Sequence, residues 1–294
     1  MPMNDEELSV FLHHLLHTPE MQSLWAIRDA GMPVFAHSVD VAMLALDAFW
    51  AWQEEHGPMQ PLPVVLGSLV HDLSKASARR ERQAWRATQP TNPARRHYAG
   101  PPSHSTLMRY APHQAVFEAA DVLARVERDT GISLPVDDLE AVRHIVAAHH
   151  GPWGGVRPQT AEAALVHACD LYSSRHHRLS PWDANNLLPL LDQGHSLTRA
   201  AQLLGMSYGV ARQRLAEACQ AEWVDSVEEL LLVWRRREYV VTGPEERQAE
   251  RELARRLIAQ ARQAPDCLLE HPVIRDMRPD KFPQTCQVYD NAER

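Results

Sequence analysis

The sequence predicts an all-α protein: a helical bundle followed by a small C-terminal helix-turn-helix-like region. Three observations predict it. Apolar residues recur at helical spacing along nearly the whole chain. No run alternates in the manner of a half-buried strand. Stop signals follow the periodic stretches, as in "HGPWGGVRP" after residue 149. At 294 residues the chain has room for one large domain and a smaller one. Composition shifts place these at 1–180 and 181–264, with an irregular tail at 265–294.

Within the first region the periodicity predicts helices over 5–16, 20–29, 35–55, 62–75, 113–130, 137–149 and 160–177. The segment "VDDLEAVRHIVAAHH" is typical: Leu139, Val142, Ile145 and Val146 share one face. Residues 76–112 break the pattern. They hold Arg79, Arg80, Arg82, Arg86, Arg95, Arg96 and Arg109, with Trp85, Tyr98 and Tyr110 between them. This reads as a long irregular insertion, and loops of that length are often functional. Further helices are predicted over 183–192, 197–204, 208–219, 224–236 and 245–263, with one short strand at 238–243.

A net charge of −8 argues against indiscriminate nucleic-acid binding but permits a local basic patch. No run approaches the ~20 uninterrupted apolar residues of a membrane span, and the acidic start is unlike a signal peptide. Cys169, Cys219, Cys267 and Cys286 are scattered, as expected of reduced thiols in a cytoplasmic protein.

The chemistry is concentrated in histidines and aspartates on the core helices. "LGSLVHDLSKAS" buries His71 and Asp72 in an apolar run, which costs several kcal/mol unless compensated. His37, His113, the pair His149-His150, and Asp170 occupy matching positions on other helices. A bundle can converge such side chains, and imidazole with carboxylate suits divalent Mn, Fe, Co, Ni or Zn. Asp72 can offer one oxygen to each of two ions, so one or two are expected. The implied reaction is attack of metal-activated water on a phosphoester. Asp72, Lys75 and His149 are the expected catalytic groups. Lys75 shares a helix face with Asp72 and can hold a phosphate oxygen. Arg79, Arg80, Arg95 and Arg96 are expected to touch substrate. His104 competes with His113 as a ligand; His113 is preferred because it opens an amphipathic helix. His149 and His150 point about 100° apart on a regular helix, so both reach one site only if the helix frays; otherwise one of them touches substrate. His13, His14, His17, His56, His176, His177 and His271 read as ordinary histidines.

These residues resemble the HD superfamily of metal-dependent phosphohydrolases over about 33–177. The segment "RHIVAAHHGPWGGVRPQTAEAALVHACDLYSS" is similar to the HD domain of YhaM-type 3′–5′ exoribonucleases, through His149, His150, Gly151, Pro158, Thr160, Glu162, Ala163, His167 and Asp170. The resemblance implies an all-helical bundle, an Mn-like divalent centre (Mg being a further candidate) and phosphodiester cleavage. Those exoribonucleases carry an OB-type domain ahead of the HD segment, whereas this sequence starts almost directly with it, and the arginine-rich insertion is not part of their pattern. The absence of a GYP motif after His150 disfavours cyclic dinucleotides.

"HSLTRAAQLLGMSYGVARQRLAEAC" resembles the opening of winged helix-turn-helix regulators of the ModE and LysR type. Ser207 would cap its second helix, and Arg212 and Arg214 could face DNA. A packing or dimerisation hairpin is the competing reading, favoured by the acidic residues that follow. The expected function is hydrolysis of single-stranded nucleic acid gripped by charge and stacking. A nucleotide or small phosphate ester is the alternative substrate, and a non-catalytic DNA-binding regulator the alternative class. A homo-oligomer is compatible with the sequence.

Overall fold

The computed structural model describes residues 3–29, 31–88, 100–178, 186–222, 224–237 and 244–275. Helix α1 (Asp5–Leu16) opens on a capping box. Asn4 Oδ1 accepts from Glu7 N, and Glu7 Oε2 accepts from Asn4 N, both at 2.9 Å. The predicted helix over 20–29 is shorter. Helix α2 (Pro19–Ser23) passes into a 3-10 turn and then a two-residue strand, β1 (Arg28–Asp29), paired antiparallel with β2 (Met32–Pro33).

The bundle is built from α3 (Val34–His56), α4 (Pro61–Val70), α5 (Ser74–Thr88), α6 (His104–Tyr110), α7 (Pro112–Thr130), α8 (Val136–Ala148) and α9 (Ala161–His176). Among the described residues, α3 alone is long and apolar enough to cross a membrane, and 67% of that apolar window is buried in the bundle. Helix α4 is buried along its entire length. It approaches α8 closely because residue 67 has no side chain: a Cβ on Gly67 would lie 2.7 Å from Ile145 Cγ2.

Two expectations are revised here. Residues 62–75 are not one helix. The chain breaks after Val70, turns through residues 71–73 with tight Leu73 N to Val70 O and Lys75 N to Asp72 O bonds, and restarts as α5. The segment 76–112 is not irregular throughout: α5 runs to Thr88, and α6 is capped by Ser103 Oγ, which accepts from Thr106 N. Residues 89–99, with Arg95, Arg96 and Tyr98, lie outside the described residues.

A second, smaller core joins α10 (Leu188–Asp192), α11 (Leu197–Leu203), α12 (Tyr208–Ala221) and α13 (Val227–Arg237) around Leu188, Ala200, Ala201, Ala211, Leu215 and Leu230. The boundaries differ from expectation on its C-terminal side. Helix α14 (Pro244–Arg262) packs on α3, because Ala254, Leu257, Ile258 and Ala261 form an i, i+3, i+4, i+7 stripe. The expected tail is helical where described, in α15 (Asp266–Leu269) and α16 (Pro272–Arg275). Leu268, Val273 and Ile274 are buried in the bundle core. The strand expected at 238–243, and residues 276–294, lie outside the described residues. The three described cysteines are free thiols.

Filling the α4–α8 contact should be costly. Gly67→Val is expected to destabilise the fold by about 1–3 kcal/mol through overpacking, read as a lowered urea midpoint with an unchanged m-value. An unaltered midpoint would show that the two helices do not pack at this distance.

Candidate metal centre

Helix ends build the centre. Both α4 and α8 terminate on a histidine whose ring caps its own helix. His71 Nδ1 donates to Ser68 O at 2.7 Å and His149 Nδ1 to Val146 O at 2.8 Å. Each satisfies a carbonyl that the helix leaves open and turns its Nε2 inward. The turn that follows each helix redirects the next residue, so Asp72 and His150 face the same interior. Gly151 makes the second turn feasible. Its φ is +56°, and a Cβ there would lie 2.3 Å from the His167 ring, whose Nδ1 donates to His149 O at 2.6 Å. His37 enters from α3, Asp170 from α9, and His104 from the start of α6.

Asp72, 2% exposed, lies between two sets of histidines. Its Oδ2 is 3.3 Å from His71 Nε2 and 3.7 Å from His37 Nε2. Its Oδ1 is 3.0 Å from His104 Nε2 and 3.7 Å from His149 Nε2. Three groups can each converge on an ion: His37, His71 and Asp72; His71, His149 and Asp170; and His104, His149 and His150. The donors fit divalent cations. The Nε2 atoms of His71, His104 and His149 are buried without a hydrogen bond. His37 makes the case more sharply. Ser173 Oγ donates to Asp40 Oδ2 at 2.6 Å and so accepts from His37 Nδ1 at 2.9 Å. That fixes the ring with a bare Nε2, which nevertheless sits 3.1 Å from Asp170 Oδ1. A proton or a metal ion shared by the two makes this contact favourable. Hydrogen bonding at the outer ring nitrogen is the usual way in which ligand histidines are oriented.

Electrostatics agree. Burial, joined by the Arg178 charge, pulls His37 down from 6.5 to about 3, so its ring is neutral and basic at physiological pH. Burial likewise lowers His104, His149 and His150, the last two also through His71 and Arg236 respectively. His71 is the exception: burial lowers it, but Asp72 beside it raises it on balance. Burial raises Asp72 and Asp170; Lys75 and His71 for the first, Arg236 and His37 for the second, more than reverse this. Both carboxylates are therefore ionised.

Residues 34–175 match the family model of the HD domain. The segment folds as an HD-type helical bundle. HD domains are, as a class, metal-dependent phosphohydrolases, and all seven clustered side chains fall inside the matched range. The comparison with curated proteins found no match, and neither did the comparison with solved structures.

Of the expected ligands, the structure brings together His37, His71, Asp72, His149, His150 and Asp170, but not His113. That ring is exposed on α7, against Phe117. His104 stands in its place, because Ser103 starts a helix that the sequence reading treats as loop; a Ser N-cap after two prolines was the available signal. Lys75 Nζ lies 2.8 Å from Asp72 Oδ2 and 2.7 Å from Asp29 Oδ2. Arg79 lines the cleft beside the HD centre, whereas Arg80 is exposed and acts on Glu118. Ser207 Oγ caps α12 by accepting from Val210 N at 3.2 Å. Arg212 is exposed and Arg214 half-buried, about 200° apart around the helix, so the two do not share one face.

Other residues went unrecognised in sequence. Asp29, 6% exposed, accepts from Lys75, from Arg237 at 2.8 Å and from Arg178. Burial raises its carboxyl, but Arg178, Arg237 and Lys75 hold it well below the usual range. Arg236 reaches the centre from α13, donating from Nη2 to Asp170 Oδ2 and from Nη1 to His150 Nε2 at 3.1 Å. His177 Nδ1 contacts Asp40 Oδ2 at 2.8 Å, behind the His37–Ser173 pair.

Two outcomes follow from this geometry. Equilibrium dialysis against Mn²⁺ should give up to two ions per chain, lost in Asp72→Asn and retained in His113→Ala; wild-type stoichiometry in Asp72→Asn would refute the ligand set. Without metal, stability should fall on acidification. The unfolded chain protonates His37 at about 6.5 and the folded chain only near 3, so its contribution is present above 6.5 and lost as pH falls toward 3. His71, raised by Asp72, has the opposite sign: its contribution is lost as pH rises through its folded value. A urea midpoint that rises between pH 6.5 and pH 4.5 would contradict this.

Proposed function

We propose that this chain is a divalent-metal-dependent phosphoester hydrolase. The observation that carries the proposal is Asp72, whose two oxygens address separate histidine sets on a shared buried carboxylate. His37, His71, Asp72 and Asp170 would hold one ion, and Asp72, His104, His149 and His150 a second. Divalent ions there supply Lewis acidity and make water nucleophilic near neutral pH. Mn is the preferred candidate on the motif similarity to YhaM-type enzymes.

The chain's own groups do the rest. Lys75, half-buried on the cleft wall, places an ammonium beside Asp72 for a substrate phosphoryl oxygen and for the charge that develops on it. The walls around the centre exclude water: each of the seven clustered side chains is 9% exposed or less. Low dielectric strengthens every charge contact made inside.

Cover from α13 favours a nucleotide or other small phosphate ester as substrate. Arg236 and Val233 of that helix line the cleft together with Lys75 and Arg79, so both packing units bound it. Single-stranded nucleic acid is the second reading, supported by the exoribonuclease-like motif and the arginine-rich segment after Asp72.

The experiment is Mn²⁺-dependent hydrolysis of 5′-labelled single-stranded oligonucleotides compared with mononucleotides and small phosphate diesters. Turnover of the small esters is expected, reduced about 10²-fold or more in Lys75→Ala with metal content preserved. Cleavage of oligonucleotides alone would reverse the substrate assignment, and no hydrolysis of either by the metal-loaded protein would overturn the enzyme reading.

A further inference from the structure

We propose that Arg236, supplied by the second packing unit, is a substrate-phosphate-binding residue, so that a helix outside the HD segment completes the active site. This rests on the hydrolase reading above. The Arg236 side chain is 9% exposed. Its two acceptors among the described residues, Asp170 Oδ2 and His150 Nε2, are both expected metal ligands, and its Nε is buried without a hydrogen bond.

A loaded centre competes for that pairing. A neutral imidazole nitrogen has one lone pair, so an ion on His150 Nε2 displaces the guanidinium from it. An ion on Asp170 Oδ1, the oxygen that faces His37 and His71, leaves Oδ2 to Nη2 but draws off part of its charge. A guanidinium stays protonated in proteins, so Nη1 and the already unbonded Nε are then short of an acceptor. The neighbouring carboxylates are already engaged. Asp29 holds Lys75, Arg178 and Arg237; Glu222 holds Arg237; Asp225 holds Arg82. An anion from outside reaches these donors through the cleft onto which Arg236 opens beside Lys75, Arg79 and His104. A phosphoryl group matches it, since its oxygens accept the guanidinium fork in bidentate fashion.

The helix is seated independently of this contact. Arg237 anchors it through Asp29 and Glu222, and Arg175 Nε donates to Arg236 O at 3.2 Å. The guanidinium can thus exchange partners while the backbone stays in place. Val233, one turn earlier, joins Ile27 and Ala78 as apolar wall of the same cleft. The ligand class is a compact phosphate ester, with its phosphoryl group on Arg236 and its organic part against that wall.

The test titrates inorganic phosphate into the Mn²⁺-loaded full-length protein by calorimetry, with metal counted in each sample. Arg236→Gln should bind phosphate about 10-fold or more weakly than wild type, the loss of one charge-assisted contact, while holding at least the wild-type metal content. Arg236→Lys should recover part of that affinity, and Arg235→Gln, which removes an exposed partner of Asp192, should match wild type. Unchanged or tighter phosphate binding in Arg236→Gln would overturn the assignment, the latter marking Arg236 as a plug. Loss of metal in both Arg236 variants would also overturn it, marking the residue as structural. A wild type that holds metal but not phosphate overturns this assignment alone; a wild type that binds no metal overturns the hydrolase reading with it.

Discussion

A fully buried, ionised aspartate is the constraint around which this molecule is organised. Asp72 sits where an apolar helix ends, and an isolated carboxylate there would be too costly to keep charged. The structure answers by surrounding it with His71 beside it and with histidines from three other segments of the chain, so that its charge can be shared with cations. The apolar surroundings serve the same end. By lowering the pKa values of His37, His104, His149 and His150 they keep those rings neutral, and neutral rings are the form that ligates metal. The helix ends at His71 and His149 are part of the same device, because one ring nitrogen closes the helix while the other faces the interior.

A second line of charge runs outward from the centre. Lys75 joins Asp72 to Asp29, and Asp29 joins Lys75 to Arg178 and to Arg237 on α13. The smaller unit is therefore tied to the larger bundle by ion pairs next to the candidate metal centre. Such pairs add modest net stability once desolvation is counted; their value here is positional. They hold α13 beside the cleft, where Arg236 donates to Asp170 and His150.

Much of this was legible in sequence because it is local. Apolar spacing located α1, α3, α7, α8, α9 and α14 to within a residue or two, and the His71-Asp72 and His149-His150 pairs stood out because polar neighbours interrupt apolar runs. What was missed depends on tertiary partners. The break after Val70 leaves no mark in the periodicity, since Leu69, Leu73 and Ala76 continue the helical spacing across it. His104 lost to His113 because α6 is only two turns long and carries little amphipathic pattern. Asp29 and Arg237 are separated by 208 positions, and an arginine run at a helix end reads by itself as solvated surface. Residues 254–261 show a clear apolar stripe, yet nothing in the stripe says which of two cores it covers.

The central claim is that Asp72 is shared between two ions. Anomalous diffraction at the manganese edge from Mn²⁺-soaked crystals tests it directly. The account predicts two peaks flanking the Asp72 carboxylate, one among His37, His71 and Asp170 and the other among His104, His149 and His150. Ions bound elsewhere, or an Asp72 carboxylate that contacts neither ion, would contradict it.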